Sequence, residues 1–305
     1  MISKNKIKQK GQIYLMLSPN LILFFTLSVY PIIWVIRFMF YQYGGPGTGE
    51  PIFIGLDNFR RIFTKDPIFW KSVINTLVYA GGKILLVLPL AFFAAMMLTK
   101  KNLKGVGAFR AILFMPTILS SAVMALVFYL LFNAYNGEIN KYLMTLNIID
   151  QPINWLSAKN AMKVIVITSV WGGIGNYMIY FIAGLQGISN EVYESADIEG
   201  ANFTQKLFCI TIPMLGPVLK MIMMIAIVTA FQDMSSIMVM TEGGPINSTM
   251  VMFLYAYQFF FPISPGSLVS TQFGYGASVS FVSACIVGII TIAFLRFSRK
   301  LDEIY

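Results

Sequence analysis

Ionisable residues stranded in apolar runs are where chemistry would first be sought, and this chain has two, Lys83 and Asp233. Each costs on the order of several kcal/mol in hydrocarbon unless it is paired or hydrated. Asp233 has Gln232, Ser235 and Ser236 beside it. That cluster supports two readings. Either Gln232 and Asp233 line a polar cavity and hydrogen-bond a solute, or Asp233 is half of a structural pair near the outer boundary of its span. Lys83 falls one or two turns into its own apolar run, so its ammonium is expected to snorkel to the headgroups. In a third run, Asn176, Tyr177 and Tyr180 share a region that could face a cavity. Aromatic rings beside polar groups suit solutes with apolar faces and hydroxyls, but Tyr is equally ordinary at a membrane interface.

Much other chemistry is excluded. The chain has no His, which removes His-based acid–base catalysis, His metal sites and the usual triads. Cys209 and Cys285 stand apart in apolar helical patterns and indicate neither a disulfide framework nor a metal pair. No phosphate-binding GxxxxGK(S/T) loop occurs, and Gly81-Gly82-Lys83-Ile84 lacks both the spacing and the hydroxyl. Gly105 and Gly107 are too few for a dinucleotide fingerprint. No cofactor is therefore expected on this chain, and if ATP drives it, ATP and Mg belong to another polypeptide.

A polar, amphipathic stretch, Asn190 to Pro213, has an apolar span on each side. Its spacing predicts two short helices in tandem. Ser189 or Asn190 can cap the first, with Glu191 and Glu194 near the positive end of its dipole. Gly200 suits the left-handed position that ends it. Asn202 then caps the second helix, and Gln205, three residues on, completes a capping box. Pro213 fits the first turn of the helix that follows. Glu191, Glu194 and Asp197 share one helical face. Ser195 and Ala196 are small enough to let a partner surface approach. The stretch reads as a handle for another protein.

The elements that must position these residues are membrane spans. Of 305 residues, 57% are hydrophobic and 11% charged, which places the chain in the all-α polytopic membrane class. Six spans are expected: 13–36, 76–98, 111–132 with Pro116 as a kink, 164–185, 221–240 and 275–295. Lys4, Lys6, Lys8 and Lys10 precede the first, and no small-residue cleavage site follows, so it is read as uncleaved. Residues 41–75 form a long loop with a short amphipathic helix, Leu56 to Phe63, suited to the interface. Residues 133–163 form a second, with Asn154-Trp155-Leu156 as an interface anchor. Residues 246–274 read as a surface helix and then a loop. Gly172, Gly173 and Gly175 permit close helix approach in the fourth span. Thirteen of the 22 Lys and Arg fall on the side of the termini and seven on the other. That bias puts both termini, the basic loop 99–110 (Lys100, Lys101, Lys104, Arg110) and the Glu194 stretch in the cytoplasm. The net charge of +9 then reads as anchoring to anionic lipid, and nucleic acid is not an expected partner.

Glu194-Ser195-Ala196, three residues, Gly200, nine residues and Ile210-Thr211-Ile212-Pro213 together resemble the EAA loop of bacterial ABC importer permeases. That pattern is Glu-Ala-Ala, three residues, Gly, nine residues, Ile-x-Leu-Pro. Ser195 and Ile212 depart from it by small or isosteric changes. With Asp197, Gly200-Ala201, Gln205 and Phe208 the stretch is similar to the sugar-uptake branch of binding-protein-dependent permeases. Asp233, followed eight positions later by Thr241-Glu242-Gly243-Gly244-Pro245, resembles a feature shared across sugar permeases.

The resemblance implies a type I ABC importer fold of six transmembrane helices in a bacterial cytoplasmic membrane. Residues 1–70 would hold a tail, the first span and an external loop. Residues 71–297 would form the transmembrane domain with coupling loop 189–213, and 298–305 a cytoplasmic tail. Implied partners are a second homologous permease (a heterodimer), two ATP-binding cassette ATPase subunits, an external solute-binding protein and lipid. Glu194, Ser195, Ala196, Asp197 and Gly200 would couple to the ATPase. Asn176, Tyr177, Tyr180, Gln232 and Asp233 are candidates to line the path of an oligosaccharide or polyol. The rival is an ion-coupled secondary transporter using Asp233; it predicts broken helices and an inverted repeat, and no repeat is visible. A membrane-embedded enzyme is disfavoured by the missing His.

Overall fold

The computed structural model describes residues 4–99, 104–261 and 271–298. Lys100, Lys101 and the tail beyond Ser298 therefore lie outside the described residues, as do residues 262–270 before the last span. The chain divides into two compact units, residues 1–66 with 256–282, and residues 67–255 with 283–305. Among the described residues five helices are long and apolar enough to cross a membrane, and a sixth crossing exists if one bent pair counts as a single span.

In the first unit a helix runs from Lys4 to Phe38, with a wide turn over Phe25–Val29. Its apolar length, Gln12–Phe38, buries almost nothing in its own chain. A two-residue antiparallel pairing, Tyr41–Gln42 with Ile52–Phe53, follows, and then the helix Asp57–Thr64. That helix is anchored inward. Asn58 donates to the carbonyls of Met39 (2.9 Å) and Tyr41 (3.1 Å), and the Met39 carbonyl also accepts from the Ser278 hydroxyl at 3.2 Å. Arg61 stacks over Tyr275 at 3.9 Å and donates to Gln272, while the Tyr275 hydroxyl donates to Asp66. The segment expected to lie at the interface is thus partly a local core.

The second unit is built on the helices Pro67–Leu98 and Ala161–Gln186, which pack along each other. The first of these starts nine residues before the expected Thr76, because Pro67 supplies a first turn that needs no N–H. Against this pair stand two interrupted helices. Val106–Phe114 tightens through Met115–Ile118, Leu119 turns extended, and Ser120 caps a new helix, Ser121–Leu131, through its hydroxyl. The two halves are bent by 95°, so the expected kink at Pro116 is a full break. Pro116 removes a ladder hydrogen bond and Ser120 offers a better start four residues past it. Gly216–Gln232 ends at Asp233, which is extended, and Ser235–Thr241 resumes the span. The second pieces of these two broken spans, Ser121–Leu131 and Ser235–Thr241, pack on each other.

Loop 133–160 holds the helix Glu138–Thr145 and folds around Asn140. The Asn140 amide donates to Ala134 and Ile153, and its oxygen accepts from Ile153 and from the Trp155 indole at 2.8 Å. Trp155 therefore spends its N–H inside the loop, and the expected interface anchor is a loop staple.

Candidate functional site

Two places gather the residues singled out by the sequence. The first is a cavity of about 380 Å³ in the second unit, where the two broken spans meet the two long helices. Leu119 and Ser121 reach it from one break, Asp233 and Ser236 from the other, and Ser169, Asn176 and Tyr177 from Ala161–Gln186. Backbone that leaves a helix at membrane depth is tolerated where it lines such a space. Lys83 sits 3.0 Å from the Asp233 carboxylate, and the two side chains are only 12% and 14% exposed. Lys83 is mid-helix rather than near an end, so it is paired inward and does not snorkel. The Tyr79 hydroxyl donates to the same carboxylate oxygen, and Ser236 donates to the other at 3.3 Å. Ser169 lies 2.6 Å from the Tyr79 hydroxyl and, with the tyrosine proton committed to Asp233, supplies the donor.

Of the five proposed lining residues, Asn176, Tyr177 and Asp233 border this cavity. Tyr177 is buried and its hydroxyl lies 3.1 Å from that of Thr229. Tyr180 and Gln232 are not among the residues around it: Gln232, one position before the break, is exposed, and Tyr180 lies about one helical turn beyond Tyr177. Sequence reasoning missed Tyr79, Ser169 and the pairing role of Lys83. Tyr79 and Lys83 stand four apart on one helix face, and that spacing was the available signal.

The second place is the polar stretch. The helix Asn190–Ile198 is capped by Ser189, whose hydroxyl accepts from Glu191 N–H. It ends in a Schellman turn: Gly200 N–H bonds the Asp197 carbonyl, Ala201 N–H bonds the Ala196 carbonyl, and Gly200 has φ +77°. Asn202 and Gln205 exchange side chain-to-backbone bonds at 2.8 and 2.9 Å, completing the capping box. The following turns are wide (Lys206–Thr211) and pass into Ile212–Met214, with Pro213 at the start.

Two details differ from expectation. Ala196 is buried against its own chain, because the helix must rest one face on the body beneath it; Glu194 and Ser195 remain exposed. Asp197 is exposed but ion-paired to Lys206, so among the described residues Glu191 and Glu194 are the exposed acids on this face outside an ion pair. Beneath the stretch lies a cleft of about 570 Å³, with Met96 and Thr99 on one side and Tyr193, Phe203 and Lys206 on the other.

A broken-helix cavity at mid-span together with a capped helix pair beyond the span ends defines a membrane permease. The chain belongs to the family of binding-protein-dependent transport system inner membrane components, matched over residues 87–303. It is similar to the lactose transport system permease protein LacF of Rhizobium radiobacter, 31% identical over 288 residues that cover 93% of this chain and 92% of that one. The arabinooligosaccharides transport system permease protein AraP of Bacillus subtilis is 30% identical over 295 residues, covering 95% and 89%. A bacterial alginate ABC transporter, solved in complex with alginate pentasaccharide-bound periplasmic protein, has a chain that matches the fold with TM-score 0.82 and 22% identity over 97% of each chain. The chain is thus a permease subunit of an ABC importer with the type I fold. Broken helices alone would also suit an ion-coupled carrier; family membership decides against it, and Asp233 is already committed to Lys83.

Proposed function

We propose that this chain is one half of the membrane path by which an oligosaccharide or related polyol enters the cell. The observation that carries the reading is the cavity between the broken spans. Its wall of hydroxyls, one amide and one tyrosine surrounds a charge pair that cancels. A volume of about 380 Å³ lies within the range of small-molecule sites, ~300–1,000 Å³. The sugar-transporting relatives support the cargo class.

In this reading the mechanism is alternating access in a dimer with a second, homologous permease. Both termini and the 190–213 helices face the cytoplasm, where two ATPase subunits bind; ATP and Mg reside in them, and this chain holds neither. Glu191, Glu194 and Ser195 form the contact surface and Gly200 sets its angle. Closure of the ATPases pushes the capped pair as a rigid body and turns the cavity outward. A solute-binding protein delivers cargo to the loops on the other side, 41–75, 133–163 and 241–274. The exposed first helix, Gln12–Phe38, is left for lipid and for the partner permease.

The test is co-purification of the chain with ATPase subunits and a second permease, followed by ATP-dependent uptake in proteoliposomes supplied with the binding protein. Uptake that proceeds without ATPase, driven by a proton or sodium gradient, would overturn the proposal.

A further inference from the structure

We propose that Lys83 and Asp233 form a charge filter: by cancelling each other in the cavity wall, they make the path neutral and set it against cargo that carries net charge. The inference rests on reading the cavity as the cargo path. Of the fifteen described residues around the cavity, Lys83 and Asp233 are the two charged at neutral pH. The pair is close, 3.0 Å, and nearly closed to solvent. The carboxylate also has a donor on each oxygen, with Tyr79 and Lys83 on one and Ser236 on the other. An anionic cargo must draw Lys83 away from Asp233, and a cationic one must draw Asp233 away from Lys83. Either exchange leaves one charge buried without its partner, which is strongly unfavourable. A neutral polyhydroxylated solute breaks nothing: it uses Asn176, Tyr177, Ser121 and the remaining lone pairs.

The consequence is reciprocal. Removing the carboxylate leaves an ammonium facing the cavity, and the path should then take an anion. Removing the ammonium leaves a carboxylate, and the path should take a cation. Removing both restores neutrality.

The experiment uses the assembled permease–ATPase complex in nanodiscs without binding protein, so that selection by that protein does not enter. Saturation-transfer NMR at millimolar concentration compares lactose, lactobionate (its carboxylate) and lactosamine (its free amine). Wild type should favour lactose over both charged probes. Asp233→Asn should raise the lactobionate-to-lactose ratio by about tenfold or more. Lys83→Gln should do the same for lactosamine, and the double variant K83Q/D233N should return to the wild-type order. No shift of either ratio in single variants that assemble overturns the filter. Failure of the double variant to assemble also overturns it, in favour of a purely structural pair. Asn176→Trp, which fills the cavity, separates the two readings. If it leaves all lactose binding intact, the cavity is not the cargo path; if it abolishes binding while the ratios above stay fixed, the path stands and the filter falls.

Discussion

Lys206 is ion-paired to Asp197 across the Gly200 turn, tying the second of the two tandem helices back to the first. The Tyr193 hydroxyl lies 3.0 Å from that of Thr211, making a second tie between the same helices. With the Schellman turn and the capping box, these contacts fix the angle between helices that would otherwise hinge at a glycine. In the proposed coupling role, a force applied at Glu194 would be passed to Pro213 and the span beyond it, and not lost in a flexible loop.

The Lys206–Asp197 pair is partly exposed, 21% and 66%, so its own contribution to stability is at most about 1 kcal/mol. Lys206→Ala should leave the unfolding temperature nearly unchanged while freeing Asp197 to join Glu191 and Glu194. If the face meets a basic ATPase groove, the variant complex should hold its ATPase to higher salt than wild type. Loss of the ATPase at lower salt would mean that Lys206 itself touches the partner.

Gly200 acts through its backbone. A Cβ there would meet nothing within 4 Å, so a substitution costs only the strain of φ +77°, about 1–2 kcal/mol for an ordinary residue. Uptake should fall in the order Gly, Asn, Ala, Val, because Asn tolerates the left-handed region and a β-branched side chain does not. Glu194→Lys should fail through charge, and an acidic change in the ATPase groove should rescue it but leave Gly200→Val impaired. Equal uptake for all four residues at 200 would remove the turn from the coupling path.

Gly175 and Gly172 separate packing against backbone from packing against a side chain. A Cβ at Gly175 would strike the Leu113 carbonyl and lie 2.7 Å from Phe114 Cα, and backbone cannot step aside. Gly175→Ala should destabilise by about 1–3 kcal/mol and lower the yield of folded complex. At Gly172 the Cβ would meet the end of Met124, a flexible thioether that can swing away. Gly172→Ala should therefore be tolerated. Thermal unfolding in detergent distinguishes the two, and equal losses would contradict the contrast.

The local devices were legible in the sequence because each is written within a few residues. Ser189, Gly200, Asn202 with Gln205 and Pro213 all do what their types and spacing predict. The break near Pro116 was half legible: the proline announces trouble, but Ser120 decides where the new helix begins. The pairing of Lys83 with Asp233 was not legible. It joins residues 150 apart, and it was obscured by starting the second span at Thr76, which put Lys83 near a membrane surface. What decides Lys83 is its partner: the ammonium turns inward onto Asp233 and its side chain is only 12% exposed. Trp155 was misread for a related reason: an aromatic after a polar loop looks like an interface anchor until Asn140 is seen to accept its proton.

The orientation of the chain can be tested at two exposed isoleucines whose separation the structure supplies independently of charge counting. The loop carrying Ile246 is fastened near the start of Pro67–Leu98: Lys71 donates to the Ile246 carbonyl at 2.8 Å, and Asn75 donates to Asn247 and Met250. The Glu194 stretch lies at the other end of the same helix, across the cleft from Met96 and Thr99. From Asn75 to Met96 the helix rises about 32 Å at ~1.5 Å per residue, just over the ~30 Å thickness of a hydrocarbon core. Ile198 and Ile246, 88% and 84% exposed, should therefore lie on opposite sides of the membrane. In a background with Cys209 and Cys285 replaced by Ser, Ile246→Cys should react with an impermeant maleimide applied to intact cells. Ile198→Cys should react only after permeabilisation, in keeping with the thirteen-to-seven bias of basic residues. Neither change should disturb the fold, since both side chains face away from it, and Cys at 246 removes a β-branched residue from φ +54°. Labelling of Ile198→Cys from outside would invert the orientation, and labelling of both from outside would mean that Pro67–Leu98 does not cross.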